Sequence, residues 1–384
     1  MSLNQEVITE PVLEPVPEPV IEELLEEISE DISNSNILHN LPPENLKLNL
    51  QLPVILVDTS YWLYYRYFAL RNWYARAYPE TQLNKHFNSE HDWLEDVVFM
   101  TKYKKLFLEH IKKLCRKFKT KMGNVVFCID CPHKKIWRCE KTENYKGTRL
   151  ESHKKNQFTS FNVFSYIKKN LLPELQMKHG VKIIKCQRCE ADDVIGNLAV
   201  FLEGLVGGGV SGGGVSGNAS IPIYILANDN DYLQICNKNI RLINGLGNII
   251  SGIESTDDKY IGEKYLISKI LLGDVSDNIK CCTIDSRFVD NNNGSGSGSI
   301  TYKNVTKTFI KKILNDTTKL KIFQDMLYEI RGGLETDSVE VGSDDNTCLI
   351  IPDNKFRDNT ILMDFQMLPI ELKNNLGIMF REII

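Results

Sequence analysis

The sequence alternates short apolar runs with amphipathic stretches, and several of the apolar runs end directly in a carboxylate. The runs LPVILVD and NVVFCID end at Asp58 and Asp130. Buried strands that alternate with helices predict βαβ units and a mostly parallel sheet. Ligands of such sheets bind outside the carboxyl ends of the strands, so acids that follow the strands are expected to meet in one crevice. The sequence therefore predicts an α/β fold with a mostly parallel central sheet flanked by helices.

Three later segments place more carboxylates after apolar runs, namely VKIIKCQRCEADD, IPIYILANDND and YLISKILLGDVSD. So many anions cannot share a pocket in the charged form without counter-charge, and divalent metal is the obvious source. Each acid alone has a simpler explanation, because Asp58 before Thr59 can cap a helix and other acids can lie at helix N-termini or turns. Their joint occurrence favours a metal site for phosphodiester chemistry. The candidate ligands are Asp58, Asp130, Glu190, Asp192, Asp193, Asp229, Asp231, Asp274 and Asp277.

The net charge of −4 conceals an uneven distribution of charge. Residues 1–50 contain eleven acidic residues and one lysine, which leaves a net charge of +6 on the remainder. A basic body with an acidic cluster is what a metal-dependent nucleic-acid enzyme requires, although ordinary surface lysines also account for so modest a charge.

The ten cysteines have no regular spacing, which is typical of a reduced intracellular protein. Two CxxC pairs occur, at Cys128/Cys131 and Cys186/Cys189, and a zinc site is one interpretation of them. Their separation differs from that of zinc ribbons, and both pairs lie in apolar runs where cysteine serves as a small buried residue. No secretory signal or apolar run long enough to span a bilayer is present, so neither export nor a membrane partner is expected.

The chain divides into three predicted regions. Residues 1–50 form a disordered acidic tail, in which one short helix at 20–32 is an open alternative. Residues 51–265 form the main α/β domain, interrupted by a Gly-rich loop at 204–220, and residues 266–384 form a helical subdomain. The glycines of that loop match neither GxGxxG nor GxxxxGK[ST], so a phosphate loop is not indicated.

Five blocks together resemble the motifs of the flap endonuclease/5′-3′ exonuclease family, and most closely the viral 5′-nucleases of the T-even phage ribonuclease H type. In chain order the blocks are VDTSYWLYYRYFAL, CIDCPHKKIWRCEKTENYKGTR, CEADDVIGNLA, LANDNDYLQI and LLGDVSDNI. The resemblance covers roughly residues 52–380. It implies a PIN/5′-nuclease-like fold with a helical arch at about 138–170 and a C-terminal helical subdomain that binds DNA.

The resemblance also implies roles for the acids. Asp58, Asp130, Glu190, Asp192 and Asp229 would hold one metal ion, and Asp231, Asp274 and Asp277 a second, with Asp193 a less certain ligand. Two Mg²⁺ ions in an all-oxygen site would support in-line displacement at phosphorus, and Mn²⁺ is expected to substitute.

Cations and one aromatic side chain complete the implied site. Arg138, Lys146 and Arg149 would act on the scissile phosphate, and Lys141 would contact nucleic acid. Tyr64 matches an aromatic residue that stacks on a terminal base in some relatives. A solvated basic helix is the simpler interpretation of the block that contains Lys146.

The chain departs from the family pattern after GDVSDNI, where SRF replaces the expected GIG hairpin. Lys303 and Lys307, in a segment that reads as a basic helix, would supply phosphate contacts instead. The expected function is a metal-dependent, structure-selective 5′-nuclease that acts on flaps and primer RNA in DNA replication or repair.

The expected partners are branched or nicked DNA and RNA/DNA hybrid, with a replication clamp or a single-strand binding protein as a further candidate. The protein is expected to be an intracellular monomer. Two alternatives remain open, a PIN-like single-strand ribonuclease and a protein that binds DNA junctions without cutting them.

Overall fold

The structure is a computed structural model. It describes residues 47–79, 91–142, 145–147, 161–207, 221–251, 260–285, 302–333 and 354–384. The predicted helix at 20–32, almost all of the acidic tail, residues 148–160 of the predicted arch and most of the Gly-rich loop lie outside the described residues.

A five-stranded parallel sheet forms the centre of the molecule. Its strands are β1 (Val54–Asp58), β2 (Val125–Cys128), β3 (Lys182–Ile184), β4 (Ile223–Leu226) and β5 (Ile240–Ile243), in the spatial order β3-β2-β1-β4-β5. All four neighbouring pairs are parallel. Strands covered on both faces read as continuous apolar runs, which is why VILV and IYIL lack polar alternation. The predicted α/β fold with a mostly parallel central sheet is confirmed.

The helices lie on both faces of the sheet and beyond its edge. Their bounds are α1 Thr59–Ala77, α2 Val97–Lys117, α3 Trp137–Lys141, α4 Phe161–Tyr166, α5 Leu172–His179, α6 Ala191–Gly207, α7 Glu263–Leu272, α8 Lys307–Asn315, α9 Thr317–Arg331, α10 Lys355–Met363 and α11 Ile370–Ile383. A π-helical turn, Ile167–Leu171, joins α4 to α5. Short 3₁₀ helices span Met122–Asn124, His133–Lys135, Asn230–Gln234 and Phe365–Met367.

Two apolar cores hold these layers together. On one face, Phe127 of the sheet lies in a buried cluster with Leu63 of α1, Phe107 of α2 and Leu172 of α5. On the opposite face, the buried cluster joins residues of the sheet to residues of α6 and α11 (Leu56, Ile225, Leu198, Phe380). In the strand order β3-β2-β1-β4-β5, β2 and β3 lie on one side of β1, and β4 and β5 lie on the other. The boundary between β1 and β4 is therefore a topological switch point, and such a point opens a crevice at the carboxyl edge of the sheet.

A third core belongs to the C-terminal helices. Buried side chains of α7, α8, α9 and α10 pack together (Ile267, Ile313, Phe323, Phe356). The predicted boundary at residue 265 falls inside α7. Beside these helices, β6 (Thr283–Asp285) pairs antiparallel with β7 (Tyr302–Asn304). Lys303 therefore lies in a strand, and the predicted basic helix begins only at Lys307, because the side chain of Thr306 caps it there.

No helix in the described ranges is both long enough and apolar enough to cross a membrane.

Candidate metal centre

The first two acids are fixed at the carboxyl ends of neighbouring strands. Asp58 ends β1, and its side chain accepts a hydrogen bond from the amide of Tyr61 at 3.0 Å, so it also caps α1. Asp130 follows β2 by two residues. Its Oδ2 accepts from the hydroxyl of Ser60 at 2.5 Å, and its Oδ1 accepts from the amide of Ala191 at 2.8 Å. The N-termini of α1 and α6 thus hold Asp130 between them.

A group of three acids lies at the start of α6. Glu190, Asp192 and Asp193 each present an oxygen within 4.8 Å of the others. Glu190 is nearly buried, and its Oε1 accepts from Nζ of Lys146 at 2.5 Å. Burial, together with the charges of Glu190 and Asp193, raises the pKa of Asp192 well above its ordinary value. This clustering of carboxylates is what a divalent cation would relieve.

Asp193 differs from the adjacent Asp192 because a bidentate guanidinium occupies both of its oxygens. The guanidinium of Arg138 binds it through two nitrogens, at 2.7 and 2.9 Å. Its Oδ2 also accepts from the amide of Glu190 at 3.1 Å, the N3-to-N-cap contact of a capping arrangement. Asp193 is fully buried, and the indole of Trp137 donates to it at 3.2 Å. The structure therefore places Asp193 as a buried counter-ion instead of a free metal ligand.

Arg138 was predicted to act on the scissile phosphate, and the structure corrects that role. Its side chain is 1% exposed and is engaged by Asp193, by Glu190 at 2.8 Å and by the carbonyl oxygen of Leu362 at 2.7 Å. A guanidinium with these partners orients Glu190 and cannot reach a substrate. Arg138 is a positioning residue.

A second group of acids comes from two separate segments. Asp231, Asp274 and Asp277 present oxygens that all lie within 4.8 Å of one another. Lys269 of α7 forms an ion pair with Asp231 and a second one with Asp274 at 3.1 Å. Burial lowers the pKa of Lys269, but Asp231, Asp229 and Asp274 outweigh burial and raise it. Sequence reasoning missed Lys269, whose one signal was a lysine inside an apolar helix just before the GD pair.

A strained turn sets the direction of the second group. Gly273 has φ +70°, and a Cβ there would overlap the carbonyl oxygen of Ile279. Asp274 and Ile279 exchange two backbone hydrogen bonds, at 2.8 and 2.7 Å. Within this loop the amide of Ser276 donates to Asp274 at 2.8 Å. The glycine is therefore required for Asp274 and Asp277 to face the cluster.

Tyr145 connects the two acidic groups. Its hydroxyl lies 3.2 Å from Oε2 of Glu190 and 3.2 Å from Oδ2 of Asp277, so it donates to a carboxylate of one group beside the other. Lys146, next in the chain, has φ +55°, and its amide donates to the carbonyl oxygen of Asp277 at 3.1 Å. Sequence reasoning had not selected Tyr145, although it lies in the NYKGTR block.

Electrostatic effects on Tyr232 show that the strand-end acids converge with both groups. Burial raises the pKa of Tyr232, and the charges of Asp58, Asp192 and Asp229 raise it further. Asp229, three residues after β4, is also among the acids that act on Lys269. Asp58 and Asp229 therefore lie near the two groups, and the hydrogen bond from the amide of Ala191 holds Asp130 at the start of α6, beside the first group.

The other predicted residues lie further from the acids. Tyr64 is 6% exposed, and its ring packs edge-on against Phe164 and stacks on Phe68. This corrects the predicted stacking on a nucleobase, because Tyr64 belongs to the core of α1. Lys141, Lys303 and Lys307 are exposed. Arg149 lies outside the described residues.

Comparison with known proteins shows the family of this chain. The model of the 5′-3′ exonuclease N-terminal resolvase-like domain matches residues 53–266, more than half of the chain. The chain belongs to the 5′-3′ exonuclease family. The match begins just before β1 and ends within α7, so it contains all of the candidate ligands except Asp274 and Asp277.

Two curated relatives of this family member are 5′-3′ exonucleases of Buchnera aphidicola. The protein of the Schizaphis graminum strain is 26% identical over 230 residues, and that of the Acyrthosiphon pisum strain is 28% identical over 229 residues. The match covers 59% of this chain and 64% of each relative's length.

Solved structures of the D15 protein of bacteriophage T5 are also similar to this chain. One, co-crystallised with metal ions, is 12% identical, with a TM-score of 0.48 over 86% of this chain and 98% of the T5 chain. Another is a D15 flap endonuclease complex with DNA and metal ions, 13% identical, with a TM-score of 0.47 over the same shares of the two chains.

Proposed function

We propose that this protein is a divalent-metal-dependent, structure-selective 5′-nuclease that hydrolyses phosphodiesters near the 5′ end of a strand. The observation that carries the proposal is the meeting of two carboxylate groups at the carboxyl edge of the sheet, joined by Tyr145. Family membership supports the same activity, and the curated relatives are described as 5′-3′ exonucleases.

The donor set fits Mg²⁺, because it consists of carboxylate oxygens and Mg²⁺ prefers oxygen ligands; Mn²⁺ shares that preference. Asp58, Asp130, Glu190, Asp192 and Asp229 would hold one ion. Asp231, Asp274 and Asp277 would hold the second. When bound, such ions lower the pKa of bound water and neutralise charge on the phosphate oxygens.

The chain's own cations and hydroxyls have distinct tasks. Arg138 and Tyr145 donate hydrogen bonds to Glu190 at 2.8 and 3.2 Å and fix its orientation. The carboxylate of Glu190 therefore needs little reorganisation. The ammonium of Lys146, in the basic block, lies within the acidic cluster and binds Glu190. We place this ammonium beside the phosphate that is cut. Arg149 is expected to assist from the same block.

Substrate strands would lie across exposed lysines. Lys141 of α3, Lys303 of β7 and Lys307 at the start of α8 are exposed and suited to backbone phosphates. Phosphate contacts of this kind give affinity that depends on salt and carry no sequence preference. We therefore infer recognition of branched DNA and RNA/DNA hybrid by shape, in primer removal or flap trimming.

The decisive experiment offers purified protein a 5′-labelled flap, an RNA-primed duplex and plain single strands, with Mg²⁺ or with EDTA. Cleavage of the flap or the primed duplex only with Mg²⁺ is expected. Cutting of single-stranded RNA alone would instead identify a ribonuclease, and tight binding without cutting a junction-binding protein.

A matched pair of variants tests the assignment of the site. Asp130→Asn should abolish cleavage while leaving duplex binding nearly unchanged, because it alters a ligand and no exposed lysine. Asp325→Asn removes the same charge from an exposed ion pair with Lys321 and should cut normally. Normal cutting by Asp130→Asn would exclude Asp130 as a ligand.

A further inference from the structure

Two lysines close to the acidic cluster have no carboxylate bound to them. Lys168 lies in the π-helical turn between α4 and α5, and Lys185 directly follows β3. Both are partly buried. Within the described ranges, neither ammonium forms a hydrogen bond or an ion pair, whereas Lys146 and Lys269 are bound to acids of the cluster.

The strand register places Lys185 at the carboxyl end of β3, level with the residue before Asp130. Cys128 of β2 is paired with Ile184 of β3, and the amide of Ile129 donates to the carbonyl oxygen of Ile184 at 2.9 Å. Continued by one residue, this register sets Lys185 opposite Ile129, which directly precedes Asp130. Because side chains alternate across a strand, Lys185 falls on the sheet face of Ile183, which packs against the core that contains α4 and α5.

The π-helical turn places Lys168 on that same face. Ile167 and Leu171 of the turn are buried in the core with Phe127, which fixes the turn against the sheet. A π turn inserts one extra residue into a helix and is frequent at functional sites. The ammonium of Lys168 interacts electrostatically with Asp130, Lys185 and Asp58, so it lies at the carboxyl ends of β1 and β2.

The electrostatics of the two lysines are unfavourable without a ligand. Burial lowers the pKa of Lys168, the charge of Lys185 lowers it further, and Asp130 opposes both. Burial also lowers the pKa of Lys185, and the charge of Lys135 lowers that pKa further. Partly desolvated ammonium groups without an acceptor destabilise a fold, so an anion held between them would compensate both.

We propose that Lys168 and Lys185 form a phosphate-binding pair that holds a phosphate group of the nucleic-acid strand beside the metal centre. The pair deepens the proposed nuclease function and rests on it. A phosphate fits because it offers several acceptor oxygens to two ammonium groups, and because a strand cut at the cluster must continue past its edge. The phosphate is either a 5′-terminal group or a phosphodiester next to the one that is cut.

The test measures binding without cutting, so it is independent of the nuclease assignment. Fluorescence anisotropy in EDTA compares wild type with the Lys168→Met/Lys185→Met variant, using one single-stranded oligonucleotide with a 5′-phosphate and the same oligonucleotide with a 5′-hydroxyl. The variant should bind about tenfold more weakly. The slope of log affinity against log salt should fall by about 0.7, the value for one phosphate contact on a single strand.

The two oligonucleotides distinguish the two sources of the phosphate. A loss confined to the 5′-phosphorylated strand assigns the terminal group, and an equal loss on both assigns an internal phosphodiester. Lys169→Met is the matched control, since it removes a neighbouring lysine of the same π turn and should bind as wild type does. Wild-type affinity of the double variant, or an equal loss in Lys169→Met, would overturn the proposal.

A second measurement, the melting temperature, tests whether the variants are folded. Removal of two uncompensated, partly buried charges should leave the melting temperature of the double variant equal to or above that of wild type. Lys168→Arg keeps the charge and should retain binding. If Lys168→Arg binds as weakly as the double variant although it is folded, the role of charge is refuted. Failure of wild type to cut any substrate with Mg²⁺, with the binding loss intact, would reject the nuclease proposal alone.

Discussion

Arg138 grips Asp193 through both oxygens of the carboxylate, with Nη1 2.9 Å from Oδ2 and Nη2 2.7 Å from Oδ1. Both side chains are almost completely buried, and they belong to segments 55 residues apart. This ion pair links the basic block after β2 to the N-terminus of α6, where Glu190 and Asp192 also lie. It explains why Asp193 of the EADD motif is structural, whereas the adjacent Asp192 forms no ion pair with Arg138.

Loss of that ion pair should destabilise the whole fold. Arg138→Met leaves Asp193 charged, buried and unpaired, and breaking a buried pair in this way costs about 3–5 kcal/mol in the free energy of unfolding. Urea unfolding measures the change. Arg188→Met is the control, because Arg188 pairs with Glu140 and Glu371 near the surface and should lose at most about 1 kcal/mol. Equal losses in the two variants would contradict the role of the buried pair.

Divalent metal should stabilise the folded protein. Burial, and the repulsion of the neighbouring carboxylates Glu190 and Asp193, raise the pKa of Asp192. Mg²⁺ at 100 times its dissociation constant should add about 2.7 kcal/mol to the free energy of unfolding. Thermal melting in MgCl₂ and in EDTA tests this. Asp192→Asn should melt no lower than wild type in EDTA and gain less from Mg²⁺; an identical gain would exclude Asp192 as a ligand.

Acid should weaken the second carboxylate group through Asp274. Burial raises the pKa of Asp274, but Lys269 and hydrogen bonds from Ser276 outweigh burial and lower it to about 2. The unfolded carboxyl takes up its proton near pH 4. The unfolded state therefore binds more protons between these values, and about 2 kcal/mol of stability is lost as the pH falls from about 5 to 2.

Urea unfolding at several pH values checks that loss. Asp274→Asn should show a shallower fall in stability with acid than wild type does. Asp325→Asn, which removes an exposed carboxylate of α9, should keep the wild-type slope. Parallel curves for Asp274→Asn and wild type would show that Asp274 is not the group responsible.

The turn before Asp274 should tolerate only glycine. Gly273→Ala places a Cβ against the backbone of Ile279 at φ +70°, so the turn must shift and redirect Asp274. We expect a loss of about 1–3 kcal/mol in stability and a large fall in the cleavage rate. Gly204→Ala in α6 is the control, since nothing lies within 4 Å of its added Cβ and alanine favours the helix. Normal cleavage by Gly273→Ala would show that catalysis does not depend on the conformation of this turn.

The pattern of the sequence was enough to predict the sheet and the edge at which the acids gather. Apolar runs such as VILVD and VVFCID predict strands by local composition, and parallel strands bring their carboxyl ends together whatever their partners are. The same logic placed Asp58, Asp130 and Asp229 correctly at that edge, because each is the last residue of its strand or follows the strand within three residues.

The tertiary structure alone decided what each charged or aromatic side chain does. Asp192 and Asp193 are adjacent in sequence, yet only Asp193 meets Arg138, because the chain between β2 and α3 brings that guanidinium to one face of α6. Tyr64 is taken into the core by aromatic neighbours distant in sequence, and Lys269 meets Asp231 across 38 residues. Pairings of this kind depend on which segments pack together. A local sequence pattern records the order of residues, and it carries no information on contacts across the fold.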